Sequence, residues 1–122
     1  KRKFEILRLN NGNIISVNTS SLKTHNKVLI SKSHLSDEIN IVKKEFDDKV
    51  KLKRMGSTLK FCLVASGEYL GYVRSGPTME WDIAAGVAIC KAAGKKIKQI
   101  KSGKEVKFNK KELINPGFIV KN

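Results

Sequence analysis

Hydrolase signatures are what this sequence most plainly lacks. It has no G-x-S-x-G elbow, no complete Walker A loop, no H-E-x-x-H pair and no cysteine beside a histidine. Serine, P-loop, zincin and thiol chemistries therefore have no starting point. Cysteine occurs only at Cys62 and Cys90, too few and too widely spaced for a disulfide framework or a structural zinc site. Both are expected as reduced thiols inside apolar helical patterns. The longest strictly apolar stretch, Ile83 to Cys90, includes Gly86, whereas a membrane-spanning helix needs roughly 20 residues. No apolar signal-like region follows the basic Lys1 to Lys3. A cytoplasmic location is expected.

Acids and arginine are also scarce. Twenty-five Lys and Arg face 11 Asp and Glu, a net charge of +14, yet arginine stands only at 2, 8, 54 and 74. A strongly basic surface attracts polyanions, but sequence-reading nucleic-acid proteins rely on arginine forks. Aromatic residues make up 7% and fall mostly at core-like positions, so no base-stacking platform is visible. Scattered lysine equally describes a solvated surface. An acidic companion segment elsewhere is a third explanation.

The 122 residues suit one domain. Residues 3–9 and 14–18 flank an Asn-Gly turn and read as a hairpin. KVLIS (27–31) reads as a strand. A helix follows with Ile39, Val42 and Phe46 in register, Ser36 as its N-cap and Asp37 and Glu38 in its first turn. VKLKR (50–54) alternates like a strand. TLKFCLVAS places Leu59, Cys62, Leu63 and Ser66 at helical spacing, with Gly67 as its stop. YLGYVR (69–74) is a further strand, and MEWDIAAGVAICKAAG a helix ending at Gly94. KIKQI, VKF and GFIV are short strand candidates. Strands alternating with helices predict an α/β fold: a mixed sheet flanked by helices, without repeats or linkers.

Ligands of such sheets gather where strands hand over to helices, because helix N-termini present unpaired N–H groups. Three junctions carry polar residues: SKSH (31–34), GSTLK (56–60) and RSGPTMEWD (74–82). Ser57 and Thr58 offer hydroxyls, and Lys60 offers a point charge for a phosphate; Ser57 could equally be a plain helix cap. His34, grouped with Ser31 and Ser33, suits a phosphate or ribose contact, or a solvated turn. Arg74 could clamp a phosphate, pair with Glu80 or end its strand in water. Asp82 sits where a helix dipole favours an acid regardless of any ligand, and Glu80, two residues away, faces elsewhere. Magnesium wants more oxygen ligands than this. The residues themselves support a basic α/β domain with a phosphate-binding face.

Taken together, SKSH, GSTLKFC, YVRSGPTMEWDIAAG and NPGF resemble the C-terminal half of a 3'(2'),5'-bisphosphate nucleotidase. These magnesium-dependent enzymes belong to the inositol monophosphatase superfamily. The W-D-x-A-A-G element is common to the superfamily, while the full combination is similar to the bacterial adenosine bisphosphate branch. The likeness runs from about residue 27 to 122, with Thr58 replacing an expected serine. It implies that Asp82 ligates catalytic Mg2+ and that His34, Ser57, Lys60 and Arg74 bind the nucleotide. It also implies small residues 84 to 86 behind Asp82 for close helix packing.

The family's glutamate pair and its D-P-[IL]-D-G-T loop have no counterpart in this sequence. The resemblance thus describes residues 1–122 as a single α/β domain, the C-terminal lobe of the inositol monophosphatase-like fold, with an N-terminal metal-binding lobe as its missing partner. The implied activity is conversion of 3'-phosphoadenosine 5'-phosphate to AMP and phosphate in sulfur assimilation, with little turnover by this chain alone. Adenosine bisphosphate or AMP is the expected ligand, nucleic acid is disfavoured, and a homo-oligomer stays open. The alternatives are an inositol or sugar phosphate phosphatase and a basic polyanion-binding module.

Overall fold

A computed structural model describes residues 6–10, 12–17, 25–31, 35–56 and 59–122. The chain order is β1 (Ile6–Asn10), β2 (Asn13–Val17), β3 (His25–Ile30), α1 (Leu35–Glu45), β4 (Lys51–Arg54), α2 (Leu59–Ala65), β5 (Tyr69–Arg74), β6 (Thr78–Met79), α3 (Glu80–Ala92), β7 (Lys96–Gln99), β8 (Ile114–Asn115) and β9 (Phe118–Lys121). The first two strands form the expected antiparallel hairpin, with Asn10 opposite Asn13.

The main sheet runs β4-β3-β5-β9-β7. β3 is parallel to both β4 and β5, and β9 is antiparallel to its neighbours β5 and β7. The predicted mixed sheet is thus observed. Successive side chains of a strand point to opposite faces, and here both faces are covered. Leu29, Tyr72, Phe118 and Val120 face α2 and α3, packing with Phe61, Val64, Ile83, Val87 and Cys90. Val28, Ile30, Val73 and Ile119 face α1, packing with Val42, Ile41 and Phe46. Burial on both sides explains why these strands read as continuous apolar runs.

Four local expectations are corrected. α1 begins at Leu35, so Ser36 lies in its first turn and is no N-cap. α2 buries Lys60, Phe61, Val64 and Ala65, while Leu59 is 53% exposed and Cys62 is exposed, not a core thiol. The bulk of Phe61 decides that rotation. Its ring packs against Tyr72 edge-on at 5.3 Å and stacks on Phe118 at 5.8 Å, a payload no leucine at position 59 offers. Residues 106–108 form no strand; only Glu105 bridges to Lys98. Finally, Ala84 and Ala85 are exposed and Gly86 alone of the three is buried.

Gly86 is where α3 meets α2. A Cβ there would lie 2.3 Å from Cδ2 of Phe61, so only hydrogen fits. Cys90, one turn on, reaches the Phe61 carbonyl at 3.3 Å, and burial pushes its thiol up to about 12.

Glu38 ties the opposite layer. Its carboxylate is fully buried and accepts the Ser31 N–H at 2.9 Å, the Ser31 hydroxyl at 2.7 Å and the Ser75 N–H at 3.1 Å. One acid therefore joins α1 to the ends of β3 and β5, with its buried charge satisfied by donors. Ser31, grouped with His34 in sequence, is engaged in this joint and is not a ligand contact.

Two substitutions test this packing. Each oxygen of Glu38 accepts a backbone N–H, so Glu38→Gln must set an NH2 against one of them and should cost about 1–3 kcal/mol in urea unfolding. Gly86→Ala should cost about 1–3 kcal/mol by overpacking Phe61. An unchanged midpoint in either variant would contradict the corresponding contact.

Candidate functional site

Lys60, Arg74 and Asp82 come together. They line one open cavity of about 320 Å³, with Phe61, Tyr72, Thr78 and Ile83 completing its wall. Each residue arrives on a different element: Lys60 on the first turn of α2, Arg74 at the end of β5, Asp82 on the first turn of α3. The cavity thus sits at strand-to-helix handovers, as expected for an α/β sheet. His34 and Ser57 lie outside the described residues.

Asp82 is held by the turn it belongs to. α3 starts after Met79, whose extended backbone (φ −86°, ψ 153°) supplies no polar side chain to cap the helix. Asp82 reaches back instead, its Oδ2 accepting the Met79 N–H at 3.0 Å. This is the acidic half of a capping box. The Glu80 N–H is satisfied separately by the Leu113 carbonyl at 2.9 Å. The helix-dipole reading of Asp82 is therefore correct as far as it goes, and the same carboxylate also fronts the cavity.

Glu80 points elsewhere, as its spacing from Asp82 predicts. It accepts the backbone N–H groups of Asn109 and Lys110 at 2.9 and 3.2 Å and the Lys110 ammonium at 2.6 Å. The Lys110 ammonium, by its hydrogen bond, holds the Glu80 carboxyl below the usual glutamate range. The ion pair of Glu80 is thus with Lys110, and the Arg74–Glu80 alternative is set aside.

The cations are buried differently. Lys60 is 5% exposed; its ammonium donates to the Met55 carbonyl at 2.8 Å and stands 4.9 Å from the Tyr72 ring centre. Carbonyl and π-face together hold the charge in place. The Arg74 charge acts on the Tyr72 phenol, and its buried Nε has no partner. Burial pushes the Tyr72 hydroxyl up to about 12, against the opposing pull of Arg74. Among the described residues, two cations and one carboxylate face the same space, a balance that suits an anionic ligand.

Tyr72 and Thr78 are wall residues that sequence reading did not single out. For Tyr72 a signal existed: it precedes Arg74 by two on one strand, so both share a face. Thr78 reaches the wall through β6, a strand defined by its pairing with Asn115, which local pattern does not reveal.

The metal question has a plain answer. Among the described residues no group of three or more His, Cys, Asp and Glu could hold an ion, and the cavity contains one carboxylate. That donor set does not by itself fit magnesium, which takes six oxygens in near-octahedral array. Among the described residues no helix is long and apolar enough to cross a membrane.

Comparison with known proteins gives a consistent picture. The model of the inositol monophosphatase family matches residues 7–122. The 3'(2'),5'-bisphosphate nucleotidase CysQ of Salmonella typhimurium is 43% identical over 94 residues, covering 76% of this chain and 37% of that protein. Its Escherichia coli K12 counterpart is 40% identical over the same length. The crystal structure of CysQ from Bacteroides thetaiotaomicron superposes with a TM-score of 0.70 at 40% identity, covering 83% of this chain and 38% of that one. The chain therefore spans little more than a third of the length of the relatives it matches.

The Tyr72 environment sets a pH test. Its folded pKa lies above the unfolded value of 10.0, so its contribution to stability is intact below pH 10 and falls as pH rises toward about 12. Urea midpoints at pH 9 and 11 should show a smaller drop in Tyr72→Phe than in wild type. Equal drops would contradict the buried neutral phenol.

Proposed function

The chain belongs to the inositol monophosphatase family, and from that premise we propose that it forms the nucleotide-facing part of a 3'(2'),5'-bisphosphate nucleotidase. The reaction is removal of the 3'-phosphate from 3'-phosphoadenosine 5'-phosphate, giving AMP and phosphate. In a cytoplasmic setting this would clear an inhibitory by-product of sulfur assimilation. One observation carries the reading: Lys60, Arg74 and Asp82, widely separated in sequence, line a single cavity. The relatives at 40–43% identity that bear this enzyme name support the choice of substrate class.

In this reading Lys60 and Arg74 hold phosphate oxygens, and His34 and Ser57 complete the nucleotide contacts. Lys60 acts as a fixed charge, its position set by Met55 and Tyr72; Arg74 offers its Nε–H, which has no internal partner. Asp82 contributes one carboxylate to a magnesium site whose other ligands come from a further lobe. Residues 1–122 are one α/β domain, the C-terminal lobe of the assembled enzyme, and by themselves turn over little or no substrate. In this reading the further lobe covers the exposed Trp81, Leu113 and Ile114.

Calorimetric titration with 3'-phosphoadenosine 5'-phosphate, AMP and inositol monophosphate tests the substrate class. Weak binding of the adenosine nucleotides is expected, reduced about tenfold or more in Lys60→Ala, as for loss of a charged contact. Isotherms that do not distinguish the variant from wild type would count against the assignment of this face. Preference for inositol monophosphate would move the protein to the inositol phosphatase side of the family. Phosphate release by residues 1–122 in magnesium, abolished in Asp82→Asn, would refute the incomplete-site reading.

A further inference from the structure

The cavity wall contains two buried polar atoms without partners. Arg74 Nε and Thr78 Oγ1 are each shielded from water and make no hydrogen bond, and both residues line the space that Lys60 and Asp82 also face. A buried donor left unpaired is costly, and folded proteins rarely tolerate one without a reason. Two on one wall, beside a buried lysine, share an explanation: a ligand oxygen supplies what the protein does not.

The surroundings of Thr78 leave its hydroxyl without a hydrogen bond. The residue lies in β6, whose ladder pairs it with Asn115 on β8. Asn115 is fully buried, and its Oδ1 is already taken by the Lys110 ammonium at 2.8 Å. Only its Nδ2 remains, and that too is unpartnered. Lys110 in turn is held by Glu80. The Asn115 carboxamide is thus oriented by the Glu80–Lys110 joint, and the Thr78 hydroxyl makes no hydrogen bond to it. Thr78 is left as a hydroxyl with a rotatable proton, on a wall shared with Arg74 and Asp82.

We propose that Thr78 is a ligand-binding residue, its hydroxyl donating together with the Arg74 Nε–H to one phosphate group in the cavity. Resting on the nucleotidase reading, this assigns that site a neutral donor alongside its cations. A fixed hydroxyl and a guanidinium edge recognise an oxyanion by direction as well as by charge. In the ligand-free protein the unpaired hydroxyl is a stability cost that binding relieves.

The test uses Thr78→Val, nearly isosteric without the hydroxyl, and Thr78→Ser, which keeps it. Calorimetry on residues 1–122 with 3'-phosphoadenosine 5'-phosphate and with inorganic phosphate is paired with thermal melting of each variant. Expected are at least tenfold weaker binding in Thr78→Val, near-wild-type binding in Thr78→Ser, and a Thr78→Val melting temperature equal to or above that of wild type. A lower melting temperature, or failure of Thr78→Val to fold, would show a structural partner for the hydroxyl and overturn the proposal. If Lys60→Ala weakens nucleotide binding and Thr78→Val does not, this proposal falls while the nucleotidase reading stands. If only inorganic phosphate binds, and Thr78→Val loses it, the proposal stands and the nucleotide reading falls. Binding of neither probe overturns both.

Discussion

The close approach of α3 to α2 at Gly86 is the constraint on which the site depends. Phe61 fills the space where a Cβ would stand, and its ring is locked edge-on to Tyr72 and stacked on Phe118. Lys60 precedes Phe61 on one helix, and Asp82 lies one turn before Gly86 on the other. Fixing the two interior residues therefore fixes how the two charged ones face each other. Tyr72 extends the same arrangement, with its ring under the Lys60 ammonium and Arg74 lining the same cavity. A hydrophobic contact thus sets an electrostatic geometry, because close-packed interiors transmit position with little slack.

The few acids are divided between structure and site. Glu38 is consumed in joining α1 to the sheet, and Glu80 in anchoring the segment before β8 through Lys110. Asp82 is the carboxylate that faces the cavity. Two adjacent acids of one helix turn thereby acquire opposite duties: Glu80 looks to the protein and Asp82 to the ligand space. The excess of lysine, by contrast, is spread widely, and among the described lysines only Lys60 belongs to the cavity wall. The net charge of +14 describes the surface more than the site.

Much of the architecture was legible in order along the chain. The hairpin, the mixed sheet and the three helices follow from alternation, helical spacing and turn residues, and YLGYVR is observed as the strand Tyr69–Arg74. Val42 and Phe46 do pack against the sheet, with Ile41 in place of the expected Ile39. Leu59 and Cys62 had the right period for a buried face, but a seven-residue helix carries too short a pattern to resist a rotation that buries Phe61. Ser31 looked available beside His34, yet a carboxylate seven residues later claims its hydroxyl.

Local pattern thus determined which segments become strands and helices, since hydrophobic period and turn chemistry act within a few residues. The motif around Asp82 placed an acid at the start of a helix, and its resemblance to a known family suggested which other residues belong with it. That Lys60, Arg74 and Asp82 share one cavity, that Glu80 turns away, and that Thr78 is left with an unpaired hydroxyl were decided by the tertiary structure. Each of those facts depends on a neighbour about 20 or more residues distant in sequence: Phe61 with Gly86, Glu80 with Lys110, Thr78 with Asn115. Such pairings arise when helices and strands are packed together, and no local periodicity encodes them.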